Sequence, residues 1–321
     1  MFAGIGGICI AFHDAGYDIR WANEIDKNAC LTYRHNANII GNTTIYEKDV
    51  RDFHPEKKDE VDVITAGFPC QPYSIAGQRK GADDPRGRDM FMQVVEKANA
   101  CKARAIFLEN VAQLMTISGG DVYKEYLKIL NESGYCYHYE RILNTKDYGG
   151  IAQFRNRLYA VVFRNSKDYE LFKEKCDTEL VTIDITRRYD DIISKEVDKK
   201  YYYNSNKMMR FNRDVKDIVT EDKVIYQYRR NTVRRNMSGL CPTLTASMGT
   251  GGHNVPLVFS GGVRKLTPEE CLLYQGFPDN YEFPEIADSH KYKQIGNSVS
   301  VPVVRRIAQI LKNSLEESDS D

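Results

Sequence analysis

A chain of 321 residues can bury a sizeable core and has room for two domains. Its 45 Lys plus Arg balance its 45 Asp plus Glu, which excludes a wholly basic nucleic-acid-binding module but not a cleft with local positive charge. Eight cysteines without a Cys-x-x-Cys pair argue against a metal such as zinc, and the lack of a signal peptide or long apolar span predicts a reducing cytoplasm and no membrane partner.

The first predicted element is a glycine-rich turn. Phe2-Ala3-Gly4-Ile5-Gly6-Gly7 leads into Ile8 to His13, which has helical spacing and stops at Gly16. Turns of this kind that open a helix let a nucleotide approach the main chain closely. Glu24 follows Gly7 by 17 positions, near where a dinucleotide fold places its ribose-binding acid. A tight turn would explain the glycines alone; the acid moves the reading towards a cofactor.

A helix is expected over Asp26–Asn36, and Val61 to Thr65 reads as a buried strand that breaks at Gly67 and Pro69. Cys70 therefore stands beyond the carboxyl end of a strand, where open α/β sheets collect ligands. Pro69 and Pro72 stiffen its turn. On this segment alone, nucleophile and small buried hydrophobe are equally good readings. Beyond a helix over Met90–Cys101, the apolar run Ala105 to Leu108 stops at Glu109. A carboxylate just past a buried strand is a candidate acid or base, or else the cap of a following helix. After a helix over Asp121–Ser133, stopped by Gly134, Gln153-Phe154-Arg155-Asn156-Arg157 precedes a strand over Leu158–Phe163. Arginines at alternate strand positions point to the same side, so Arg155 and Arg157 form a pair, weak evidence taken by itself.

Strand-like and helical runs alternate to about Asn165, which predicts an α/β fold with a doubly wound, mostly parallel sheet. The pattern degrades over residues 166–262, where charges crowd and glycines gather, so a separate small domain is expected there. Thr267-Pro268-Glu269-Glu270 then starts a helix with its cap, its proline and its acids in place. An amphipathic helix over Ser298–Asn313 returns to the first domain, and the acidic tail from Glu316 reads as a solvated, frayed end. The expected division is thus 1–165 plus 263–321 against 166–262.

Taken together, these segments resemble the DNA (cytosine-5-)-methyltransferase family. Its order of Phe-x-Gly-x-Gly-Gly loop, acid, Pro-Cys-Gln, Glu-Asn-Val and Gln-x-Arg-x-Arg is repeated here. So are Arg264 to Cys271, Gln275-Gly276-Phe277-Pro278 and Gln294-Ile295-Gly296-Asn297-Ser298-Val299. Only residues 166–262 lack the common blocks; in the family this is the target-reading segment. The resemblance implies a Rossmann-like fold that transfers a methyl group from S-adenosylmethionine to carbon 5 of a flipped-out cytosine in duplex DNA. Cys70 would be the nucleophile, Glu109 would stabilise ring nitrogen 3, and Arg157, with Arg155, would hold the base's carbonyl oxygen or nearby backbone. Phe2, Gly4, Gly6, Gly7, Glu24, Asp49, Val50, Phe68, Pro69, Asn297 and Ser298 would bind the cofactor. A lid from Ser74 to Asp89 would bring Ser74, Arg79, Lys80, Arg86 and Arg88 to phosphates, while Arg229, Arg230, Arg234, Arg235 and Thr243 would serve target reading.

Two departures from the family stand out. The chain begins at Met1-Phe2 without the apolar strand that family members carry before the glycine loop, so weak folding or weak cofactor binding is expected. Ile25 also stands where some relatives have an aromatic residue over adenine. The resemblance implies a monomer that works beside a cognate restriction endonuclease, and residues 242–256 look like those of enzymes for GGNCC-type sites. A transfer-RNA methyltransferase of the same fold is a rival, although its Cys-Phe-Thr signature is missing here. A truncated, inactive homologue is a second. A nicotinamide-dependent dehydrogenase leaves Pro-Cys-Gln unexplained.

Overall fold

The computed structural model describes residues 1–55, 60–69, 85–203, 215–229, 232–236, 238–250 and 254–320. These divide into two compact units: residues 1–143, 156–182 and 303–321 form the first, and residues 144–155 and 183–302 the second.

In the first unit, α1 (Gly7–Asp14) leads to β1 (Ala22–Glu24), α2 (Lys27–His35) and β2 (Ile45–Glu47). Then follow β3 (Val63–Ala66), α3 (Pro85–Ala100), β4 (Ala105–Val111), α4 (Asp121–Glu132), β5 (Tyr137–Asn144), β6 (Asn156–Phe163) and α5 (Ser166–Glu179). β1 and β2 form a parallel pair, while the second sheet runs β3-β4-β6-β5, parallel at β3-β4 and antiparallel at β4-β6.

The side-chain alternation of β4 explains why helices cover both faces. Ile106 and Leu108 join the core made with Phe91 of α3 and Tyr126 of α4. Phe107, between them, points the other way and meets Phe12 of α1 edge-on at 5.3 Å. On that same face Phe163 of β6 lies 5.3 Å from Phe172 of α5. This is the expected doubly wound α/β arrangement.

Several boundaries differ from those expected. α3 begins at Pro85 rather than Met90, and β6 at Asn156 rather than Leu158. Residues 144–155 and 263–302 group with the second unit, while 166–182 group with the first. β4 continues through Glu109, Asn110 and Val111 because these pair with Tyr159, Leu158 and Arg157 of β6, so Glu109 stands inside a strand. The last helix, α8 (Val301–Ser320), runs well past Asn313. The tail expected to fray is helical there, because Lys312 pairs with Glu316 at 2.6 Å, Lys175 with Glu317 at 2.7 Å and Arg104 with Asp319 at 2.8 Å.

The second unit holds an antiparallel sheet in the order β10-β9-β7-β8, where β7 is Ile225–Arg229, β8 Thr232–Arg235, β9 Leu257–Phe259 and β10 Val263–Lys265. Tyr226, Val233, Leu257 and Val263 supply part of its core. α6 (Pro268–Gln275) begins with a reciprocal capping box. Thr267 Oγ1 accepts from Glu270 N at 3.2 Å, and Glu270 Oε2 accepts from Thr267 N at 2.8 Å. α7 (Asp288–Asn297) follows.

Candidate active site

The glycine turn is built around Gly6, which caps α1 with φ 84°. A Cβ there would lie 2.6 Å from Ile40 Cδ1, so only glycine fits. Glu24 binds this turn to the end of β1: Oε2 accepts from Gly4 N, and Oε1 accepts from Ile25 N and Asp26 N, each at 2.8 Å. Space in front of Gly4 is open, since a Cβ there would touch nothing within 4 Å. Beside it Ile25 is 63% exposed, an aliphatic face next to an acid. Asp49 binds Arg51 through both carboxylate oxygens, and these hydrogen bonds hold its pKa down at about 2. Val50 and Phe68 are buried in the core, Phe68 against Phe91 at 5.4 Å, while Pro69 is exposed. Phe2 is half-buried, and Gly7 is buried as the first residue of α1.

At the carboxyl ends of β3 and β4 the chemistry-bearing groups converge. Glu109 and Arg157 face each other as an ion pair, Oε1 to Nε at 3.2 Å, with side chains 11% and 13% exposed. A Cβ on Gly67 would lie 3.8 Å from Glu109 Oε2, so the turn after β3 passes directly beside this carboxylate. Asn110 Nδ2 donates to Phe68 O at 3.2 Å and fixes that turn. Asn110 is a positioning residue that sequence reasoning left without a role; its signal was a second buried polar group in the Glu-Asn-Val run.

Arg155 does not share the side of Arg157. It precedes β6 and belongs to the second unit, fully buried, where it donates to Leu244 O at 2.8 Å, to Gly296 O at 3.5 Å and to Ser298 O. The guanidinium thus ties main chain together, and the strand-alternation argument fails because the strand starts one residue later. Thr243 Oγ1 donates to Phe154 O at 2.7 Å in the same unit, where Asn297 is exposed and Ser298 buried. Arg88 pairs with Glu125 at 2.9 Å, Arg235 pairs with Glu221 at 2.5 Å, and Arg234 is exposed. Cys70, Ser74, Arg79, Lys80 and Arg230 lie outside the described residues, and of Arg86 and Arg229 only the main chain is described.

The described cysteines offer a contrast. Burial pushes the thiols of Cys9, Cys30, Cys176, Cys241 and Cys271 up, to about 12 for Cys30 and Cys176, so at neutral pH they stay protonated and unreactive. Among the described residues no group of three or more His, Cys, Asp or Glu is placed to hold a metal ion, and no helix is long and apolar enough to cross a membrane.

Solved structures share the architecture. A mutant of Spodoptera frugiperda DNMT2 superposes with a TM-score of 0.70 at 23% identity, covering 97% of this chain and 98% of that one. The Entamoeba histolytica methyltransferase EhMeth gives 0.68 at 20% identity, covering 98% and 97%. At such identities these likenesses speak for the fold alone, and that fold is the Rossmann-like methyltransferase fold. The chain belongs to the C-5 cytosine-specific DNA methylase family, which it matches over residues 1–313, and is a DNA cytosine-5 methyltransferase. It is 44% identical over 319 residues to the Type II methyltransferase M.Bsp6I of Bacillus sp. (strain RFL6), covering 98% of each chain. Against M.HaeII of Haemophilus aegyptius it is 35% identical, covering 98% of this chain and 92% of that one.

Proposed function

We propose that the protein methylates carbon 5 of a flipped-out cytosine in a specific duplex DNA sequence, with Cys70 as covalent nucleophile and S-adenosylmethionine as donor. The observation that carries this reading is the Glu109–Arg157 pair, set against the Gly67 turn three positions before Cys70. Carbon 5 of cytosine is a poor nucleophile. Addition of the Cys70 thiolate to carbon 6 makes the ring an enamine, whose carbon 5 is then nucleophilic enough to take a methyl group that bound S-adenosylmethionine would supply. Loss of the carbon 5 proton then expels the thiolate and restores the ring. Glu109 in its protonated form donates a hydrogen bond to ring nitrogen 3, where charge builds during addition, and Arg157 holds both that carboxyl group and the base's carbonyl oxygen. A cytosine inside a duplex is out of reach, hence the flipping.

The glycine turn fits the donor. Its open approach at Gly4, the Glu24 carboxylate for ribose hydroxyls and the exposed Ile25 face for adenine suit a nucleoside without phosphates. S-adenosylmethionine supplies an electrophilic methyl group when bound. Residues 166–262 are proposed as the target-reading segment, with Arg234, exposed among the described residues, as one base or phosphate contact. The Type II names of the relatives support a role in restriction-modification, to which we add a cytoplasmic setting and a cognate endonuclease as proposals.

The test is covalent trapping. Duplex DNA carrying 5-fluorocytosine should form a stable adduct through Cys70, because fluorine cannot leave as a proton does. Cys70→Ser should abolish both trapping and methyl transfer while DNA binding persists. Turnover that survives this substitution removes the covalent route, and methylation of transfer RNA in preference to duplex DNA would replace the substrate.

A further inference from the structure

In the second unit one buried arginine holds two segments that the proposed reaction uses for different ligands. One terminal nitrogen of Arg155 donates to Leu244 O at 2.8 Å. The other donates to Gly296 O at 3.5 Å and to Ser298 O. Leu244 follows Thr243 in the proposed target-reading segment. Gly296 and Ser298 flank Asn297 at the end of α7, where cofactor contacts are proposed. A guanidinium presents its donors in a rigid planar fork, so the carbonyls it holds are fixed relative to one another.

The remaining contact between these segments is main chain on main chain. A Cβ on Gly296 would lie 2.0 Å from Thr245 C and 2.1 Å from Ala246 N. Near the start of α7, a Cβ on Gly249 would lie 2.3 Å from Ser289 O. Backbone atoms cannot rotate aside, so residues 245–249 lie against α7 from its first turn to its last. Two bonds of 3.0 Å, Met248 N to Thr245 O and Thr250 N to Ser247 O, make this stretch a compact turn.

We propose that Arg155 is a positioning residue that couples cofactor binding to the target-reading segment. The two states are a closed fork, bonded to all three carbonyls, and an open one that has released Leu244 O. With the donor bound, Asn297 and Ser298 are held, Arg155 keeps its grip on the end of α7, and residues 243–249 stay in one arrangement. Linkage makes the effect reciprocal, so DNA that fixes Thr243 tightens the cofactor by the same factor. The coupling rests on the proposed donor and the proposed target segment.

Hydrogen exchange of the full chain, with and without saturating S-adenosylhomocysteine, tests it. In the wild type the ligand should slow the amides of Met248 and Thr250 about fivefold or more and leave those of β9 within about twofold. In Arg155→Lys a single ammonium cannot span the three carbonyls. The ligand-dependent slowing should then drop below about twofold although calorimetry shows the ligand bound. A purely structural arginine would speed exchange equally with and without ligand and keep the ratio, which would overturn the proposal. A wild type that binds the ligand without slowing these amides overturns it as well. If Arg155→Lys does not fold, the wild-type Arg155 Nη protons, followed by NMR, should be slowed by the same factor as the Met248 amide, and independence of the two overturns the coupling. Failure of the wild type to bind S-adenosylhomocysteine would instead remove the donor reading, and the coupling with it.

Discussion

Two Arg–Glu pairs in this molecule differ in every respect but their residue types. Arg264 and Glu270, at 0% and 1% side-chain exposure, meet through two bonds of 2.8 and 2.7 Å. Glu270 accepts two further bonds, from Thr267 N and Ser194 N, both at 2.8 Å, so each oxygen takes two donors. Arg157 instead approaches Glu109 side-on through Nε at 3.2 Å, at the end of a sheet and beside the turn that leads to Cys70. A carboxylate surrounded by donors has its orientation fixed, which suits scaffolding. A carboxylate near the carboxyl end of a sheet, beside the turn that follows β3, stands where a substrate would be met.

The same substitution at both positions separates the roles. Glu109→Gln should lower the single-turnover rate of methyl transfer by about 100-fold or more, because the loss falls on charge that develops only in the transition state. The isosteric amide keeps the contact with Arg157 and loses only the charge of an ion pair, so stability should fall by only about 1 kcal/mol. An unchanged rate with weakened DNA binding would make Glu109 a binding residue. Glu270→Gln should invert this profile. Its amide nitrogen must face one pair of donors, Arg264 and either Thr267 N or Ser194 N, and an uncompensated buried charge costs about 3–5 kcal/mol. Denaturant unfolding should show that loss, with turnover per folded molecule kept within a few-fold. A Glu270→Gln protein as stable as the wild type would mean that the pair contributes nothing net.

What the sequence revealed of these two sites follows the reach of each interaction. The Glu-Asn-Val run marked Glu109, and Thr267-Pro268-Glu269-Glu270 marked a helix start, because strand ends and caps are written in adjacent residues. Placing Glu109 inside β4 required the register with Tyr159, fifty positions away, which no local pattern carries. Arg155 and Arg157 look equivalent by spacing, yet one closes onto Leu244 and Ser298 and the other onto Glu109, partners set by tertiary packing. The acidic tail misled for the same reason. Its charges read as solvated until Arg104, Lys175 and Lys312 are placed opposite them. Cys70 is even between nucleophile and small buried hydrophobe on its own segment, and only the resemblance across the other motifs marks it as a nucleophile.

The smallest expected effect tests whether the Arg264–Glu270 site acts as one unit. Thr267 supplies the outgoing half of the capping box, its Oγ1 accepting from Glu270 N at 3.2 Å, while the incoming half is Glu270 Oε2 on Thr267 N. Thr267→Ala removes only the first bond and should cost about 1 kcal/mol, the usual value for an N-cap, with Thr267→Ser restoring most of it. If the cap merely satisfies one helix amide, the loss should be additive with that of Glu270→Gln. If it also fixes the Glu270 rotamer that both Arg264 bonds require, the double variant should lose less than the sum of the singles, because the second change finds the site already slack. Four bonds converging on one carboxylate favour the second outcome, so a coupling of at least about 0.5 kcal/mol is expected, measured by urea unfolding of the four proteins of the cycle.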